Sequence, residues 1–438
     1  MRPRKSAYEL SQSQVNTPPS VVSLFWTVVA NYRPVLRTVL DFGAGDCRFV
    51  KGCHAKEYVG VEIDASRSST QRLPEKAKCV HSCAFEFKGR DFDACVGNPP
   101  YARHHDIEKP WKSSIADKFK LQLSLTVDKR WNLYLYFLAL ACLKTKADGL
   151  IALIIPYEWV ARPAAATLRG YLLRHKWNVS VYRFTNSIFP GVLTTACITI
   201  IDKSTTQKKW TYYEIDQAFR IRAKSDAGAR YGRLIRYRER GPIWSMRGLS
   251  PGTQKVFTLT ERQRLDAGLS LRDVDPCITS LRHVPATLSM LNQVTFRKYF
   301  IDSGKRCWLV RSNLPCVSDR LLVYLRQAPK SLRSNTTCAA RKPWYRFRAQ
   351  RIPELVLSSG FVTQSPKILI NSIRAHAIGA VSGIHLEQRF SARKIQKAIH
   401  NDDFSNRVVG YAKTLKKLEV GQLNCVLCDL VKTPSKTR

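Results

Sequence analysis

Short apolar segments alternate with segments of helical character between residues 17 and 203, and this alternation constrains the fold more than any other feature. The strand-like segments are the start of TVLDFGAGDCRFV, followed by EYVGVEID, KCVHSCAF, FDACVGNPPY, LIALIIP, NVSVYRF and ACITIID. Strands that alternate with helices form mostly parallel sheets with helices on both faces. We therefore predict an α/β fold in this part of the chain, a doubly wound, Rossmann-like domain.

Two helical segments frame this prediction. Pro18 and Pro19 open the first, and Thr17 before them is its expected N-cap. The second, WNLYLYFLALACLK, is apolar on all sides and is expected to be buried. Its apolar run is too short to span a bilayer, and the basic N-terminus lacks the core of a signal peptide. We expect a soluble, cytoplasmic protein without a membrane partner.

Charge is the second strong feature. The 438 residues include 72 Lys+Arg and 33 Asp+Glu, a formal net charge of +39. Such an excess indicates a polyanionic partner, of which nucleic acid is the favoured one, although lysines that only improve solubility remain an alternative. The 13 cysteines are odd in number and several lie in apolar runs, which indicates a reducing compartment rather than a disulfide framework.

Domain boundaries follow from where the alternation stops. We predict a catalytic domain over residues 1–205 and a polar linker with some strand over residues 206–245. Residues 246–438 lack the rhythm of the first half and are rich in arginine and lysine. We expect them to form a mixed α+β domain that recognises nucleic acid.

A glycine turn follows the first strand. Gly43 and Gly45 lie where the backbone must pass close to a ligand, unless they form an ordinary strand-to-helix turn. Glu62, at the end of the second strand, suits the two hydroxyls of a ribose. A dinucleotide-binding turn would have a third glycine at Arg48, and Asp41 suits an ammonium group better than a phosphate. These features favour S-adenosylmethionine, which carries an ammonium group and a ribose but no phosphate.

The segment VGNPPY ends the fourth strand and predicts the chemistry. Amino nitrogens on bases are poor nucleophiles because their lone pair is delocalised into the ring. The side-chain carbonyl of Asn98 and the main-chain carbonyl of Pro99 can hold the amino hydrogens and localise that lone pair. Pro99 and Pro100 make the loop rigid, and Tyr101 offers a flat face for a base. A polar turn that merely closes a strand is the structural alternative.

These motifs together resemble those of a known family. In order and spacing, the segments TPPSVV, LDFGAGDCRF, YVGVEID, VGNPPY, WNLYLYFLALACL, GLIALIIPYEWV, LRGYLL and IFPGVLTTACITI resemble adenine-N6 DNA methyltransferases of bacterial restriction–modification systems. The resemblance covers residues 15–202 closely. It is to the subgroup in which cofactor motifs come first, the catalytic loop next and a target-recognition domain last.

The resemblance implies a class I methyltransferase domain that takes a methyl group from S-adenosylmethionine. The substrate would be an adenine flipped out of double-stranded DNA. The reaction would need no metal, and the protein would be a monomer. A cognate restriction endonuclease, if one exists, would be a separate chain.

The resemblance also assigns roles to residues. The donor would be bound by Thr17, Asp41, Gly43, Gly45, Glu62, Ile63 and Asn98, with Ile63 packed on its adenine. The catalytic loop would be Asn98, Pro99, Pro100 and Tyr101, with the flipped base between the rings of Tyr101 and Phe189. We interpret Trp159 as a packing residue, and His104 and His105 as phosphate or loop contacts.

Two positions depart from the family pattern. Cys47 stands where the cofactor turn usually has a glycine or another small residue. Cys83 stands where an aspartate usually contacts the donor's adenine. Glu86 and Asp91 are the candidates to replace that aspartate. Neither departure touches the catalytic loop.

A dense basic segment lies between residues 330 and 351, with seven basic residues, no acid and three aromatic residues. Lysine and arginine neutralise phosphates, and arginine also pairs with guanine in the major groove. A basic face that merely contacts solvent is the alternative. The expected DNA-binding residues are Arg341, Lys342, Trp344, Tyr345, Arg346, Arg348 and Arg351.

Other functions share some of these features. RNA adenine and DNA cytosine-N4 methyltransferases would use the same loop geometry. A methyltransferase acting on protein glutamine also uses NPPY, but it needs no large basic domain after the catalytic one. A DNA-binding protein without activity would not need the intact loop from Asn98 to Tyr101.

Overall fold

The computed structural model describes residues 16–68, 72–189, 195–223, 241–402, 404, 410–412 and 415–432. The chain divides into two compact units. One comprises residues 1–235 with 410–414, and the other residues 236–409 with 415–438. Each unit has its own sheets and its own apolar core.

The first unit is built on one large sheet. Its strands are β1 (Thr38–Phe42), β2 (Glu57–Glu62), β3 (Ala77–His81), β4 (Phe92–Gly97), β5 (Thr145–Pro156), β6 (Asn178–Phe184), β7 (Ala196–Asp202), β8 (Trp210–Ile215) and β9 (Ile221–Ala223). Its helices are α1 (Pro19–Ala30), α2 (Ala65–Ser68), α3 (Lys109–Leu123), α4 (Leu133–Lys144) and α5 (Ala166–Arg174).

The strand order is β3-β2-β1-β4-β5-β7-β6-β8-β9. Strands β1 to β5 are all parallel, β7 runs antiparallel between β5 and β6, and β8 is parallel to β6. The order reverses direction between β1 and β4, which is where doubly wound sheets place their ligands. The predicted doubly wound α/β domain is confirmed.

Helices cover both faces of this sheet. On one face, Phe25 of α1 belongs to the same core cluster as Val39 and Val96. On the other, Phe42 packs against Phe137 of α4, with ring centroids 6.2 Å apart. Helix α4 is buried on nearly all sides, as its apolar sequence predicted.

The start of α1 differs from the expectation. Pro18 is the N-cap residue and Pro19 is the first helical residue, so Thr17 lies one position outside the helix. The backbone N–H groups of Val21 and Val22 both donate to the Pro18 carbonyl. Proline has no N–H to be capped, so the Thr17 side chain is left for another partner.

The polar stretch after residue 205 contributes strands to the sheet. Strand β8 pairs with β6, and β9 pairs with β8, within the range that we expected to be a linker with some strand. Within the same range, residues 224–240 lie outside the described residues.

The second unit is a mixture of short strands and short helices, as the expected α+β class requires. The remaining strands of the chain are β10 (Ile243–Arg247), β11 (Thr258–Leu259), β12 (Val274–Ile278), β13 (Met290–Leu291), β14 (Trp308–Val310), β15 (Leu355–Ser358), β16 (Gly360–Phe361), β17 (Ile368–Asn371), β18 (His376–Ala377), β19 (Val381–Leu386), β20 (Gly410–Ala412) and β21 (Leu415–Lys417). The helices are α6 (Gln254–Phe257), α7 (Glu261–Asp266), α8 (Gln293–Phe296), α9 (Asp319–Gln327), α10 (Lys330–Arg333), α11 (Thr336–Ala339), α12 (Ala392–Asn401) and α13 (Val420–Lys432).

Two sheets organise this unit. One has the order β10-β19-β15-β17-β13, and the other has the order β11-β14-β12-β18. Ile395 and Ile399 of α12 and Leu423 of α13 share a core cluster with Leu355 and Ile384 of the first of these sheets. Among the described residues, no helix is long and apolar enough to cross a membrane.

Gly60 in β2 is a sensitive point of the first unit. A Cβ there would lie 2.7 Å from the sulfur of Cys47 and 3.1 Å from the Cβ of Ala44. We expect Gly60→Ala to lower the free energy of unfolding in urea by about 1–3 kcal/mol through overpacking. Gly170→Ala in α5 is the control, because its Cβ would meet only the end of Arg174 at 3.8 Å. The control should be neutral or slightly stabilising, and equal losses in both variants would contradict the packing argument.

Candidate active site

The turn after β1 brings the backbone to the carboxyl edge of the sheet. Gly43 and Gly45 have φ angles of +64° and +56°, which residues with a Cβ adopt only at a cost. Cys47 has a φ of +56° as well, although it has a Cβ. The backbone geometry explains why a glycine would suit position 47, and Cys47 is strained there by about 1 kcal/mol.

Glu62 ties this turn to the end of β2. Its Oε2 accepts a hydrogen bond of 2.7 Å from the Gly45 N–H, and its Oε1 accepts one of 2.9 Å from the Asp64 N–H. Each carboxylate oxygen has a second lone pair, so both can still accept from a ligand hydroxyl. Ile63 beside it is 61% exposed and presents an apolar surface.

Asp41 is buried at the end of β1. Tyr58 donates a hydrogen bond to its Oδ2, while Oδ1 has no hydrogen-bond partner among the described residues. Burial raises the pKa of Asp41 to about 8, although the bond from Tyr58 opposes the shift. Gly97 is packed so close to Oδ1 that a Cβ there would collide with it. The site therefore holds a carboxyl group with an unused acceptor, which would be stabilised as a carboxylate by a cation.

The loop after β4 lies directly on the glycine turn. A Cβ on Gly43 would be 3.3 Å from the Cδ of Pro100, so the missing side chain allows the close approach. The Asn98 side-chain nitrogen donates to the Thr17 hydroxyl at 3.1 Å, and this bond fixes the orientation of the amide. Thr17, expected as a helix cap, instead supports Asn98. Pro99, in the same loop, is buried.

Tyr101 is held at both ends of its side chain. Its hydroxyl donates to the Ile154 carbonyl at 2.9 Å, and its ring contacts Tyr134 at a centroid distance of 6.1 Å. Phe189 is also close, at 6.3 Å, but the two rings are 75° apart. Phe189 is only 2% exposed because it packs in the core of the first unit. A parallel sandwich of Tyr101 and Phe189 around a base is therefore not present in this structure.

The segment after Tyr101 is held by contacts that were not predicted from the sequence. The Ala102 carbonyl accepts from the Leu133 N–H at 2.9 Å, and the His104 N–H donates to the Asn132 side chain at 3.1 Å. Asn132 also donates to Glu158 at 3.4 Å. The only sequence feature that pointed to Asn132 is a polar residue directly before an apolar helix.

Histidines and tryptophans near the loop have structural contacts. The His104 carbonyl accepts from Lys112 at 2.8 Å, and burial together with nearby His105 lowers the pKa of His104. A neutral imidazole is a poor phosphate ligand, so the loop-contact interpretation fits His104 better. Trp159 is fully buried and donates to Thr199 at 3.0 Å, as expected for a packing residue.

Cys83 stands where the family usually has the aspartate that contacts the donor's adenine, and only one of the two candidate replacements lies at the carboxyl edge of the sheet. Cys83 follows β3, and its carbonyl accepts from the Glu86 and Phe87 N–H groups in a tight turn. Glu86 is exposed and lies at the same edge of the sheet. Asp91 precedes β4 and so lies at the opposite, amino edge, which removes it as a substitute.

Several arginines of the basic segment between residues 330 and 351 bond to other groups of the second unit. Arg341 donates to the carbonyls of Ser250, at 3.2 Å, and Pro251, and Arg351 pairs with Glu354 at 2.8 Å. Arg346 donates to the Pro315 carbonyl at 3.3 Å.

The other members of the predicted set divide into two kinds. Trp344 and Tyr345 are partly buried, and Trp344 packs on Phe257 with ring centroids 5.9 Å apart. Lys342 and Arg348 are exposed and make no hydrogen bond or ion pair with the described residues. Only these two cations of the predicted set have no partner within the described part of the chain.

Comparisons with known proteins match both halves of the chain. A family model described as "Eco57I restriction-modification methylase" matches residues 54–189. A second, described as "Type II methyltransferase M.Eco57I, C-terminal domain", matches residues 243–403. The chain belongs to the restriction–modification methyltransferase family. The family-level prediction from the motifs is thereby confirmed.

Two curated members of this family are similar over part of their length. The Type II methyltransferase M.XamI of Xanthomonas campestris pv. amaranthicola is 29% identical over an alignment of 206 residues, and the match covers 42% of this chain and 38% of that protein. The Type II methyltransferase M.AccI of Acinetobacter calcoaceticus is 20% identical over an alignment of 290 residues, and the match covers 58% of this chain and 52% of that protein. The chain thus spans about half or less of the length of these relatives.

Solved structures that are similar to part of the chain include a type I restriction–modification methyltransferase subunit from Streptococcus thermophilus. It has a TM-score of 0.38 and 19% identity, over 46% of this chain and 47% of that chain. The type IIG restriction endonuclease BpuSI has a TM-score of 0.41 and 10% identity, over 98% of this chain and 61% of that chain.

Asp41 gives a prediction about pH. An aspartate has an ordinary pKa of 3.8, and that of Asp41 is about 8. Because the folded state holds this proton more tightly, the wild type loses stability as the pH rises from about 4 to about 8. Asp41→Asn should remove that loss. Its free energy of unfolding should exceed that of the wild type by an amount that grows between pH 5 and pH 8, each pKa unit being worth about 1.4 kcal/mol.

Asp93 provides a control of opposite sign. Burial raises the pKa of Asp93, but Lys146 and the backbone N–H groups of Thr38 and Arg37 lower it more. Asp93→Asn should therefore cost stability at neutral pH, and the cost should vanish in acid. Denaturant unfolding at several pH values measures both variants. A constant difference between Asp41→Asn and the wild type from pH 5 to pH 8 would mean that Asp41 does not titrate there.

Proposed function

We propose that the chain is a site-specific DNA adenine-N6 methyltransferase that uses S-adenosylmethionine. The observation that carries this proposal is the contact between the loop after β4 and the turn after β1, because the Asn98–Tyr101 loop rests on the glycine turn through Pro100 and Gly43. A group held by the loop would therefore face a ligand held by the turn. This is the arrangement that direct transfer between two bound molecules requires.

The residues around the turn fit the donor. Buried Asp41 has an unused acceptor that suits an ammonium group. Gly43 and Gly45, with positive φ angles, turn the backbone at the carboxyl edge of the sheet where the donor would lie, and Glu62 retains lone pairs for ribose hydroxyls. Ile63 offers an apolar surface for an adenine ring. When bound here, S-adenosylmethionine supplies an electrophilic methyl group.

The loop supplies the groups that make an amino nitrogen nucleophilic. The Asn98 side-chain carbonyl and the Pro99 main-chain carbonyl would accept the two amino hydrogens and pull the nitrogen towards tetrahedral geometry. Thr17 fixes the amide from its nitrogen side, and Pro100 adds rigidity to the backbone. Such pre-organised acceptors lower the barrier because they need no rearrangement during the reaction. The amino proton leaves after transfer, so no general base is needed to start it.

The base would stack on Tyr101, whose ring is fixed by its bonds to the core. Phe189 could face the other side of the base only after a rotation of its ring, because it now packs edge-on against Tyr101. The phosphate backbone and the target sequence would be read by the basic second unit. We propose that the substrate is double-stranded DNA and that the enzyme is a monomer. A cognate endonuclease, where one exists, would be a separate chain.

Methylation can be tested directly in cells. The protein would be expressed in bacteria that lack their own DNA methyltransferases, and modified bases would be mapped by single-molecule sequencing. N6-methyladenine at one recurring sequence supports the proposal. N4-methylcytosine at one sequence would change the target base, and unmodified DNA with methylated RNA or protein would overturn DNA as the substrate.

Asn98 and Thr17 give a graded prediction. Asn98→Ala should lower the rate of methyl transfer by about 100-fold or more, because it removes an acceptor for the target amine. Thr17→Val keeps that acceptor and loses only the bond that orients it. It should cost about 10-fold or less, the equivalent of one neutral hydrogen bond.

Single-turnover rates and calorimetric titration with S-adenosylmethionine separate the two effects. Donor affinity should change little in Asn98→Ala. Glu62→Ala is the counterpart, because it should weaken donor binding. If Asn98→Ala lost donor affinity and kept its rate at saturating donor, Asn98 would belong to the donor site and not to the catalytic loop.

A further inference from the structure

Helix α12 has a sharply divided surface. Ile395 and Ile399 are buried, one turn apart, in the core of the second unit. Arg393 and Lys397 are also one turn apart, and their positions fall on nearly the opposite side of the helix. With Lys394 beside them, they form an exposed group of cations that we call the α12 basic face. The helix has no acidic residue.

The helix is fixed on the side away from these cations. Besides the two isoleucines, the Gln396 side chain donates to the Ser289 and Ile368 carbonyls, the latter at 3.0 Å. A helix held in this way keeps its outward side chains at set positions. Along the axis, Arg393 and Lys397 are separated by about 6 Å, from a rise of about 1.5 Å per residue.

The charges of the α12 basic face are not compensated by the described residues. None of the three side chains forms a hydrogen bond or an ion pair with the described residues. In the basic segment between residues 330 and 351, by contrast, Arg341, Arg346 and Arg351 all bond to groups of the same unit. An uncompensated cluster on a rigid helix is a better ligand for a polyanion than arginines that are already bonded.

We propose that the α12 basic face binds the phosphate backbone of duplex DNA. The inference rests on the proposed function, and it adds a surface outside the segment that the sequence favoured. Duplex DNA carries about one charge per 1.7 Å of its axis, so a span of about 6 Å faces several phosphates. The short distance between the cations suits the close spacing of charges on a duplex. Lysine and arginine at these positions would place the second unit on the DNA without reading its sequence.

The test compares two double variants of equal charge change. Arg393→Gln/Lys397→Gln removes two cations from the α12 basic face. Arg320→Gln/Arg326→Gln removes two exposed cations from α9, where Asp319 precedes Arg320 in the chain and Arg320 helps to lower the pKa of Asp273. Dissociation constants for a duplex would be measured between 50 and 200 mM salt, together with donor binding and urea unfolding as checks on the fold.

Each lost phosphate contact lowers the slope of log affinity against log salt by about 0.9. The α12 variant should therefore have a slope smaller by about 1.8 and lose about 10-fold less affinity than the wild type between these salt concentrations. The loss of affinity at low salt should be similar for duplexes of any sequence. The α9 variant should keep the wild-type slope.

The outcomes separate this inference from the proposed function. Equal slopes in the α12 variant and the wild type, or equal changes in the α12 and α9 variants, would overturn the α12 basic face as a DNA contact while DNA methylation by the wild type stood. If the wild type bound duplex RNA better than duplex DNA and the α12 variant lost that RNA binding, the partner would be RNA and the proposal would be wrong. A wild type that modified no DNA would refute the proposed function instead.

Discussion

The site depends on one close approach between two segments of backbone. Strands β1 and β4 are neighbours, with Gly97 of β4 against the Asp41 side chain of β1, and the loops that leave the two strands meet where Pro100 lies on Gly43. Two glycines make this possible, because a Cβ on Gly97 would collide with Asp41 and a Cβ on Gly43 would crowd Pro100. Sheet order places these strands side by side at the reversal of the doubly wound sheet. The proximity of the two loops is therefore a property of the fold.

The buried carboxyl group of Asp41, beside this contact, lowers the stability of the fold. Buried Asp41 keeps one oxygen without a hydrogen bond among the described residues, and burial raises its pKa to about 8. A group optimised for folding would have a partner or be apolar, since an unpaired buried carboxylate is costly. Strain at Cys47 adds a smaller cost beside it. Costs of this kind concentrate where a fold is adapted to bind a ligand.

In the second unit, the density of arginine and lysine along the sequence did not predict which cations have no partner within the described residues. Arg341 and Arg351 were expected to meet DNA, yet they bond to a carbonyl of Ser250 and to Glu354. The cations of α12 were not predicted as DNA contacts from the sequence, because they are spread along a helix with isoleucines between them. Helical periodicity places Arg393 and Lys397 on one side and the isoleucines on the other, and only packing decides which side is buried.

The sequence by itself determined the α/β class, the positions of the glycine turn and the Asn98–Tyr101 loop, and the family, because these depend on local patterns of apolar residues, glycines and prolines. Tertiary structure decided which distant residues meet. It brought the Thr17 side chain to Asn98 instead of to the helix N-terminus, turned Phe189 edge-on to Tyr101 and brought Asn132 to His104. Each of these contacts joins segments far apart in the chain, and their partners are fixed by strand order and core packing, which no local pattern encodes.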